Sequence, residues 1–553
     1  MAPKPEPLSN VDAAWLSMDD PTNLMMITGV MTFKTPINLD HFLAVVEHRW
    51  LKFDRFVQRI EKPSLPIGKP HWEPDLHFDI AAHVHRIALP DPGDHSALQR
   101  LVSDLASTPL DPSKALWQVH IVENYGQGSA LITRMHHSIA DGLALVYVLL
   151  SLTDMTPDAP WPKEDGESKD EDRGDSWFGD FGDTAVSLYK QGASAAGTVY
   201  GLSKRAARES VRIAADPLRL LDRLQQGADY SYAASRLVLL SPDPPTPFKG
   251  KLGVIKRAAW SEAIPLRDVK TIKNMTHTTV NDVLVSALSG AIRSYLLEKG
   301  QPTEDFRAII PVNMRTEKEM GTLGNKFGLV FLSLPVGIAD PMKRLAEVSR
   351  RMAALKDSSE AAVALGILNI MGLSAAEIQS LILTIFATKA TAVLTNVPGP
   401  PMPLFLAGSE IEDIMFWVPQ AGRLGIGISI LSYAGKVYLG IMTDAGLVPD
   451  PDSIITYFYN EFDLLKETLL AVEKPQFTSE KTRPPERVDD LTRVHGIDKE
   501  VQAYLNGKGI YTFSQLAAAN GVQLQILFSE ENGRFKDLTP ANWPAQARYL
   551  ASL

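Results

Sequence analysis

The chain has no cysteine among its 553 residues. This absence excludes disulfide bonds and a thiol nucleophile, and it fits a protein of the reducing cytoplasm. Long hydrophobic runs are also missing. The longest uncharged, proline-free run, Ala361 to Ala376, is shorter than the roughly 20 residues that span a membrane. Residues 1–7 do not resemble a signal peptide, because no apolar run follows a basic start. We expect a cytoplasmic protein that is soluble or bound to a membrane surface.

An excess of positive charge is missing as well. The chain has 55 basic and 65 acidic residues and a formal net charge of −10, which argues against nucleic acid as its main partner. Hydrophobic residues make up 45% of the sequence and charged residues 22%, values that are typical of globular proteins. Because the chain is too long for one ordinary hydrophobic core, its length predicts two or three domains.

Two adjacent histidines, His136 and His137, follow the apolar stretch from Ser129 to Arg134, which we predict to be a buried strand. Leu143 to Leu150 predicts a helix after them, so the histidines fall in a loop at a strand end, where chemistry is often displayed. Successive strand residues face opposite ways, so we expect one histidine to face a cavity and the other to face inward. A histidine near its usual pKa of about 6.5 can accept a proton and return it.

Asp141 and Gly142 complete the motif His-His-x-x-x-Asp-Gly. We expect Asp141 to orient the loop, and Gly142 to permit a backbone angle that other residues resist. His137 and Asp141 cannot close a metal site by themselves, and no further His, Asp or Glu cluster stands nearby at ligand spacing. The sequence therefore predicts no metal, and a histidine-rich loop held by local hydrogen bonds is the plain structural alternative.

This motif resembles the signature of the CoA-dependent acyltransferase superfamily, which includes chloramphenicol acetyltransferase, carnitine acyltransferases and peptide-synthetase condensation domains. The resemblance implies that His137 is the general base and that Asp141 organises the loop. More blocks, which together cover about residues 7–470, resemble the bacterial wax ester synthase/diacylglycerol acyltransferase family. These blocks contain Asp111 and Trp117 in the first half, and Asn281, Asp282, Arg315, Asn325 and Asn396 in the second. We expect substrate-binding or structural roles for all of these residues except Asn325, to which we assign no role, although each block alone is also compatible with a turn or a helix cap.

The resemblance implies an α/β fold of two chloramphenicol-acetyltransferase-like halves with a tunnel between them. It also implies an O-acyltransferase that uses acyl-CoA as co-substrate and needs no cofactor. The acceptor is diacylglycerol, a fatty alcohol or both, which would yield triacylglycerol or wax ester. Without cysteine, we expect direct transfer of the acyl group, with Asn281 or a backbone N–H as oxyanion donor. Arg315 is our candidate partner for Asp141.

Changes in composition divide the chain into six segments. Between Lys163 and Asp183 stand nine acidic and three basic residues, a composition that cannot build a core. After residue 472, a stretch rich in proline and charge separates a short C-terminal module from the rest. We predict a first acyltransferase half at 1–156, an acidic linker at 157–183, a helical insertion at 184–245, a second half at 246–472, a linker at 473–488 and a small all-α domain at 489–553.

The insertion carries basic residues and an apolar stripe. Residues 185–227 contain seven basic and three acidic side chains, which suits amphipathic helices on an anionic membrane. A helical hairpin packed on the enzyme explains the pattern equally well. We expect peripheral association with the inner face of the membrane or with lipid inclusions. The apolar stretch Ala361 to Ala387 can line an acyl tunnel, touch lipid or belong to an ordinary core.

The C-terminal module, from Asp489, resembles a helix-hairpin-helix domain. Such hairpins can bind DNA phosphate on backbone amides after a glycine. Here Asp498 stands where DNA-binding versions usually have a second glycine, so we prefer a protein-contact role. Two rival readings concern the whole protein: a condensation-type acyltransferase with another acceptor, and a non-catalytic scaffold on a lipid surface. The intact histidine motif argues against the scaffold, which has no need of a proton acceptor.

Overall fold

The computed structural model describes residues 6–63, 69–161, 240–315, 323–356, 387–420, 422–472, 488–519, 524, 528 and 543–551. Four predicted segments lie wholly or almost wholly outside the described residues: the acidic linker from residue 162, the basic insertion up to 239, the apolar stretch 361–386, and the linker 473–487. By its internal contacts the chain forms two compact units, Met1–Asp463 and Leu464–Leu553.

The described strands follow the order of the chain. They are β1 (Glu6–Pro7), β2 (Met26–Phe33), β3 (Gln58–Glu61), β4 (His71–Pro74), β5 (Val84–Ile87), β6 (Trp117–Tyr125), β7 (Gly128–His136), β8 (Lys256–Trp260), β9 (Ile264–Pro265), β10 (Phe306–Asn313), β11 (Phe327–Leu334), β12 (Ala392–Pro398), β13 (Phe405–Leu406), β14 (Ser409–Trp417), β15 (Ile426–Tyr433) and β16 (Lys436–Asp444).

The described α-helices alternate with these strands or follow them. They are α1 (Asn10–Met18), α2 (Leu39–His48), α3 (His95–Ala106), α4 (Gly142–Leu152), α5 (Leu266–Thr276), α6 (Val280–Glu298), α7 (Pro341–Lys356), α8 (Pro451–Val472), α9 (Lys499–Gly507), α10 (Phe513–Ala518) and α11 (Trp543–Ala551). The helices and strands predicted around the histidine motif are confirmed, since β7 ends at His136 and α4 begins at Gly142.

The histidines belong to a six-stranded sheet with the order β13-β14-β2-β7-β6-β5. Strand β7 is an internal strand of this sheet, because antiparallel partners, β2 and β6, flank it on both sides. Aromatic side chains fill the core next to it: Trp50 and Trp117 stack with ring centroids 4.8 Å apart. Such packing fixes the end of β7, and with it the position of the histidine loop.

A second large sheet has the order β11-β10-β12-β15-β16-β8, with β9 also paired to β16. Its central strands β10, β12 and β15 run parallel. Helix α6 follows β9 and α5 in the chain, and its residues from Val280 to Ile292 are all buried. Strand β14 lies within the predicted second half, 246–472, yet it pairs with β2 in the sheet of the first half. The two predicted halves therefore share a sheet, which a boundary drawn along the chain does not reveal.

The second unit contains a small helical core of its own. Leu491, Leu505, Leu516 and Trp543 are all buried there. Gly496 has φ of +91°, and a Cβ on it would lie 3.1 Å from Nε1 of Trp543, so the hairpin turn requires glycine. In the described residues of this module the secondary structure is helical, as predicted.

Candidate functional site

The histidine loop is anchored at the end of β7. His136 pairs with Met26 across the sheet, and the His137 N–H donates to the Met25 carbonyl at 2.7 Å. Both histidines are 5% exposed. Neither of them therefore lies at the surface, although successive strand residues face opposite sides of a sheet. The two rings nevertheless have different neighbours, which gives them different chemical capacities.

The His136 ring stabilises the turn by hydrogen bonding to Ser138. Its Nδ1 accepts the Ser138 N–H at 3.1 Å and lies 2.7 Å from the Ser138 hydroxyl oxygen. Burial, assisted by the charges of His137 and Lys62, lowers the pKa of His136 to about 3. His136 is therefore neutral at physiological pH, and its Nδ1 lone pair is committed to Ser138.

The His137 ring is held from two sides. It stacks on Trp15 with centroids 4.1 Å apart and planes 16° apart, and its Nδ1 lies 2.9 Å from Oδ1 of Asn325. Burial lowers the pKa of His137 to about 4, while Asp141, the His137 carbonyl and Asn325 act in the opposite direction. At neutral pH the ring is uncharged, which is the form that can accept a proton.

Asp141 is buried and links three elements. One oxygen, Oδ1, accepts the Ala144 N–H at 2.9 Å and so caps α4. The other, Oδ2, accepts from Arg315 Nη2 at 2.7 Å and from the Lys326 N–H at 2.9 Å. The expected Asp141–Arg315 pair is thus present, with side chains 7% and 1% exposed. It joins the motif loop to segment 323–326, as the organising role of Asp141 requires.

The expectation for Gly142 was wrong in its physical reason. Gly142 is the first residue of α4, and its φ is not in the left-handed region, so its backbone angle is one that other residues adopt readily. A Cβ added to it would meet no atom within 4 Å. Gly142 therefore leaves open space beside the histidine loop rather than relieving backbone strain.

An apolar cavity occupies this side of the first sheet. Ile27, Met135, Gly142, Leu149 and Leu431 are among the residues that line it. Its walls are β2, β7 and β14, one face of α4, and the chain near residues 399–406 and 431–433. The volume that atoms leave empty is about 1010 Å³, including any part that opens to solvent. Because Met135 and Gly142 stand on either side of the His136–Asp141 segment, the cavity borders the histidine loop.

Two of the other predicted residues lie in β6 and the turn before it. Trp117 is buried, stacks on His83 at 4.6 Å and donates from Nε1 to the Phe56 carbonyl at 2.8 Å. Asp111 is on the surface, where it accepts from the Ser113 N–H and hydroxyl. These contacts favour structural roles for both residues, one in the core and one in a turn.

The remaining predicted residues gather at the start of α6. Asn281 and Asn396 are bonded through Asn281 Oδ1 and Asn396 Nδ2. Asp282 forms a capping box with Thr279, in which each side chain accepts the N–H of the other residue. The Ser349 hydroxyl also donates to Asp282 at 3.1 Å. Asp282 therefore fixes the first turn of the helix that carries Asn281.

Sequence reasoning missed two residues of the site, Asp12 and Trp15, and left Asn325 without a role. Both missed residues lie on α1, three positions apart, so they share a helix face. Asp12 Oδ1 accepts from Asn325 Nδ2 at 2.7 Å. An acidic and an aromatic residue spaced three apart on one short capped helix were the available signal.

The part of the chain that the structure describes bears on metal ligation and on membrane spanning. No group of three or more His, Asp or Glu side chains there is placed to hold a metal ion. No helix within the same residues combines the length and the apolar character that crossing a bilayer requires.

Comparisons with known protein families give three matches along the chain. A model of the wax ester synthase/diacylglycerol acyltransferase catalytic domain matches residues 8–284, and a model of the WS/DGAT C-terminal domain matches residues 323–466. The RS2/RL21/YNQ2 HHH domain model matches residues 491–551. The first match contains the histidine loop, the second contains Asn325 and Asn396, and the third covers the C-terminal module.

Individual relatives agree with these models. A Mycobacterium tuberculosis protein named a probable diacylglycerol O-acyltransferase, tgs1, is 28% identical over 454 residues, which cover 80% of this chain and 92% of that protein. The solved wax ester synthase/diacylglycerol acyltransferase of Marinobacter aquaeolei VT8 matches with a TM-score of 0.59 and 21% identity, over 84% of this chain and 99% of that one. A condensation domain of the calcium-dependent antibiotic synthetase matches with a TM-score of 0.52 and 12% identity, over 85% and 97%. The predicted α/β fold is confirmed.

Proposed function

Because the chain belongs to the wax ester synthase/diacylglycerol acyltransferase family and is therefore an acyltransferase, we propose that His137 is the base of its reaction. The acyl acceptor is diacylglycerol or an alcohol, as the names of the family and of its relatives state. In our proposal the donor is a long-chain acyl-CoA, and the products are triacylglycerol, wax ester or both.

The observation that carries the proposal is a neutral, buried imidazole in a loop that borders an apolar cavity. His137 has its pKa lowered to about 4, and the cavity that borders its loop has almost entirely hydrophobic walls. Fatty chains are apolar, so such walls suit a chain of the donor or of the acceptor. We therefore assign the cavity to a long hydrocarbon chain.

The reaction needs no covalent acyl-enzyme intermediate. His137 Nε2 takes the proton of the acceptor hydroxyl as its oxygen attacks the thioester carbonyl carbon, which forms a tetrahedral oxyanion. As the carbon–sulfur bond breaks, the ester forms and the imidazolium returns its proton to the CoA thiolate. Asn281 is our candidate oxyanion donor, because its Oδ1 accepts from Asn396 and its amide NH₂ remains as a donor.

Two further assignments extend the proposal beyond the site. We propose that the insertion 184–245 holds the enzyme at the inner face of the membrane or at lipid inclusions, where its apolar substrates collect. We propose that the C-terminal module binds a protein. Asp498 supports this choice, since its carboxylate accepts the Val501 N–H at 2.8 Å and occupies the helix end that a phosphate would need.

Product analysis tests the proposal directly. Purified full-length protein is incubated with labelled palmitoyl-CoA and either dioleoylglycerol or hexadecanol, and the lipids are separated by thin-layer chromatography. We expect labelled triacylglycerol, wax ester or both, absent from a heat-denatured control. Release of free fatty acid alone, with no ester from either acceptor, would contradict the assignment.

The pH dependence of the reaction should reveal the lowered pKa of His137. A base must be neutral to accept a proton, and burial keeps His137 neutral down to a pKa of about 4. We expect kcat/KM for palmitoyl-CoA to stay nearly constant from pH 8 to about pH 7. It should then fall by no more than about tenfold as Asp12, which bonds to Asn325 and has its pKa raised to about 6 by burial, is protonated. Initial rates over pH 5–8, with folding monitored by circular dichroism, give the measurement. A fall of about tenfold per pH unit that begins near 6.5, the usual value for histidine, and does not level off above pH 5 would show that the base is not held in the buried environment described.

Enlarging Gly142 should select against long chains. The Cβ of residue 142 points into open space at the border of the cavity, so a Leu side chain there would occupy room that a hydrocarbon chain needs. For Gly142→Leu we expect kcat/KM to fall at least about tenfold more for palmitoyl-CoA than for butyryl-CoA, or for hexadecanol than for butanol if the cavity holds the acceptor. Gly507→Leu is the control, because a Cβ on Gly507 also meets no atom within 4 Å but the residue lies in the C-terminal module. Equal losses for all chain lengths would refute the assignment of the cavity.

A further inference from the structure

The orientation of the Asn325 amide determines which nitrogen of His137 carries hydrogen. Asn325 Nδ2 lies 2.7 Å from the His137 carbonyl oxygen and 2.7 Å from Asp12 Oδ1. A backbone carbonyl only accepts hydrogen bonds, so the amide atom that faces it must be the nitrogen. The amide oxygen therefore faces His137 Nδ1, at 2.9 Å.

The tautomer of His137 follows from this orientation. An amide oxygen cannot donate, so the hydrogen between Asn325 and His137 must belong to Nδ1. In a neutral imidazole only one nitrogen carries hydrogen, so Nε2 has the lone pair. The ring is thus presented in the one neutral form in which Nε2 can accept a proton.

Asp12 holds the amide in this orientation. It is 5% exposed and lies in the first turn of α1, where its own N–H donates to Ser9 Oγ at 3.1 Å. Burial raises the pKa of Asp12 to about 6, against the opposing effect of its hydrogen bond with Asn325. A buried carboxylate is costly unless donors surround it, so the Asn325 amide and Asp12 stabilise each other.

Resting on the proposed role of His137 as the base, we propose that Asp12 and Asn325 form a positioning relay that fixes the His137 tautomer and ring orientation. Neither residue contacts substrate in this scheme. Trp15, on the same helix as Asp12, supports the ring by stacking. As in a nucleophile–histidine–carboxylate triad, a carboxylate orients the histidine and stabilises its charged form. Here a neutral amide lies between the histidine and the carboxylate.

The relay also determines how charge is stabilised as the reaction proceeds. When Nε2 takes a proton, the ring becomes an imidazolium whose Nδ1–H points at the Asn325 oxygen, behind which lies the Asp12 carboxylate. Among the described residues, Asp141, which pairs with Arg315, also favours the charged ring through space, and Arg55 acts on Asp12 through space. His136 adjoins the ring and is neutral. The negative charge that faces Nδ1 through the amide is therefore that of Asp12.

Single substitutions test the relay by kcat. We expect Asn325→Ala to lower kcat about 100-fold, at the lower end of the range for a positioned general base, and Asp12→Asn about tenfold, which is below that range. KM for acyl-CoA should change less than about threefold. Asn124→Ala is the matched control. Asn124 likewise uses both ends of its amide, bonding to the Leu89 N–H and carbonyl at 2.7 and 2.9 Å, but it has no contact with the histidine loop.

An exchanged pair separates positioning from mere structural support. In Asp12→Asn/Asn325→Asp the carboxylate stands next to Nδ1 and the amide stands behind it. A carboxylate in direct contact favours the charged imidazolium, so the acid limb of kcat/KM should move to higher pH by at least one unit relative to the unsubstituted enzyme. A purely structural role does not predict this shift, since it gives no reason for the base to titrate differently.

The outcomes distinguish the relay from the function on which it rests. A wild-type kcat in Asn325→Ala, or an unchanged acid limb in the exchanged pair, would overturn the relay. In that case an inactive His137→Ala variant would still support His137 as the base. Activity in His137→Ala would overturn the base itself. Circular dichroism and thermal melts of each variant identify loss of fold, and the exchanged pair, which keeps one carboxylate and one amide, gives the decisive reading if Asn325→Ala is unstable.

Discussion

Replacing His137 with alanine should abolish most of the catalytic rate while leaving the fold and the binding of acyl-CoA nearly intact. A positioned general base contributes roughly 100- to 10,000-fold to the rate, and we expect kcat to fall within that range. KM for palmitoyl-CoA should change less than about threefold, since the ring is proposed to move a proton rather than to bind the chain. Ester formation from labelled palmitoyl-CoA, with either acceptor, is the measurement.

His120→Ala is the control for that experiment. His120 is also 5% exposed, and burial lowers its pKa to about 4, as for His137. It belongs to β6, outside the histidine loop. If both alanine variants lost the same fraction of activity, the loss would reflect disturbed packing, and the assignment of the base to His137 would fall.

Breaking the Asp141–Arg315 pair should destabilise the enzyme strongly. The side chains are only 7% and 1% exposed, and Arg315 Nη2 lies 2.7 Å from Asp141 Oδ2. Removing one partner of a buried ion pair leaves the other charge uncompensated, which typically costs about 3–5 kcal/mol of unfolding free energy. We expect Arg315→Ala to show a loss of this size in denaturant unfolding monitored by fluorescence, together with a large loss of activity, because the motif loop is anchored through Asp141.

Two comparisons make this result interpretable. Lys34→Ala breaks the ion pair with Glu410, whose side chains are 51% and 31% exposed, and pairs of this kind contribute about 0–1 kcal/mol. The double variant Asp141→Asn/Arg315→Met removes both charges and keeps an oxygen that can cap α4. It should be more stable than Arg315→Ala. If Arg315→Ala lost no more stability than Lys34→Ala, the pair would not be the anchor of the loop.

The identity of the fold was accessible from the sequence because its evidence is local. The strand that ends at His136 and the helix that begins at Gly142 were predicted from apolar runs, and the spacing of His137, Asp141 and Gly142 is contained in six residues. Such patterns depend only on neighbours in the chain. The pairing of Asp141 with Arg315 was also anticipated, although no local pattern indicated which arginine it would be.

Several interpretations failed or stayed open because they depend on packing. Gly142 was expected to relieve backbone strain, but it leaves open space beside a cavity. Trp117 and Asp111 stand in blocks that look functional, yet one fills the core and the other closes a surface turn. Strand β14, assigned by chain position to the second half, joins the sheet of the first. No property of these residues in isolation distinguishes the alternatives.

By itself, the sequence determined the class of chemistry: a base-bearing motif, no thiol, and blocks that place the chain in an acyltransferase family. Only the tertiary structure decided how the base is held. Asn325 lies 188 positions from His137 and 313 from Asp12, and separations of this size are bridged by folding alone. Hydrogen bonds act over about 3 Å, so the tautomer of one imidazole depends on contacts that no stretch of sequence contains.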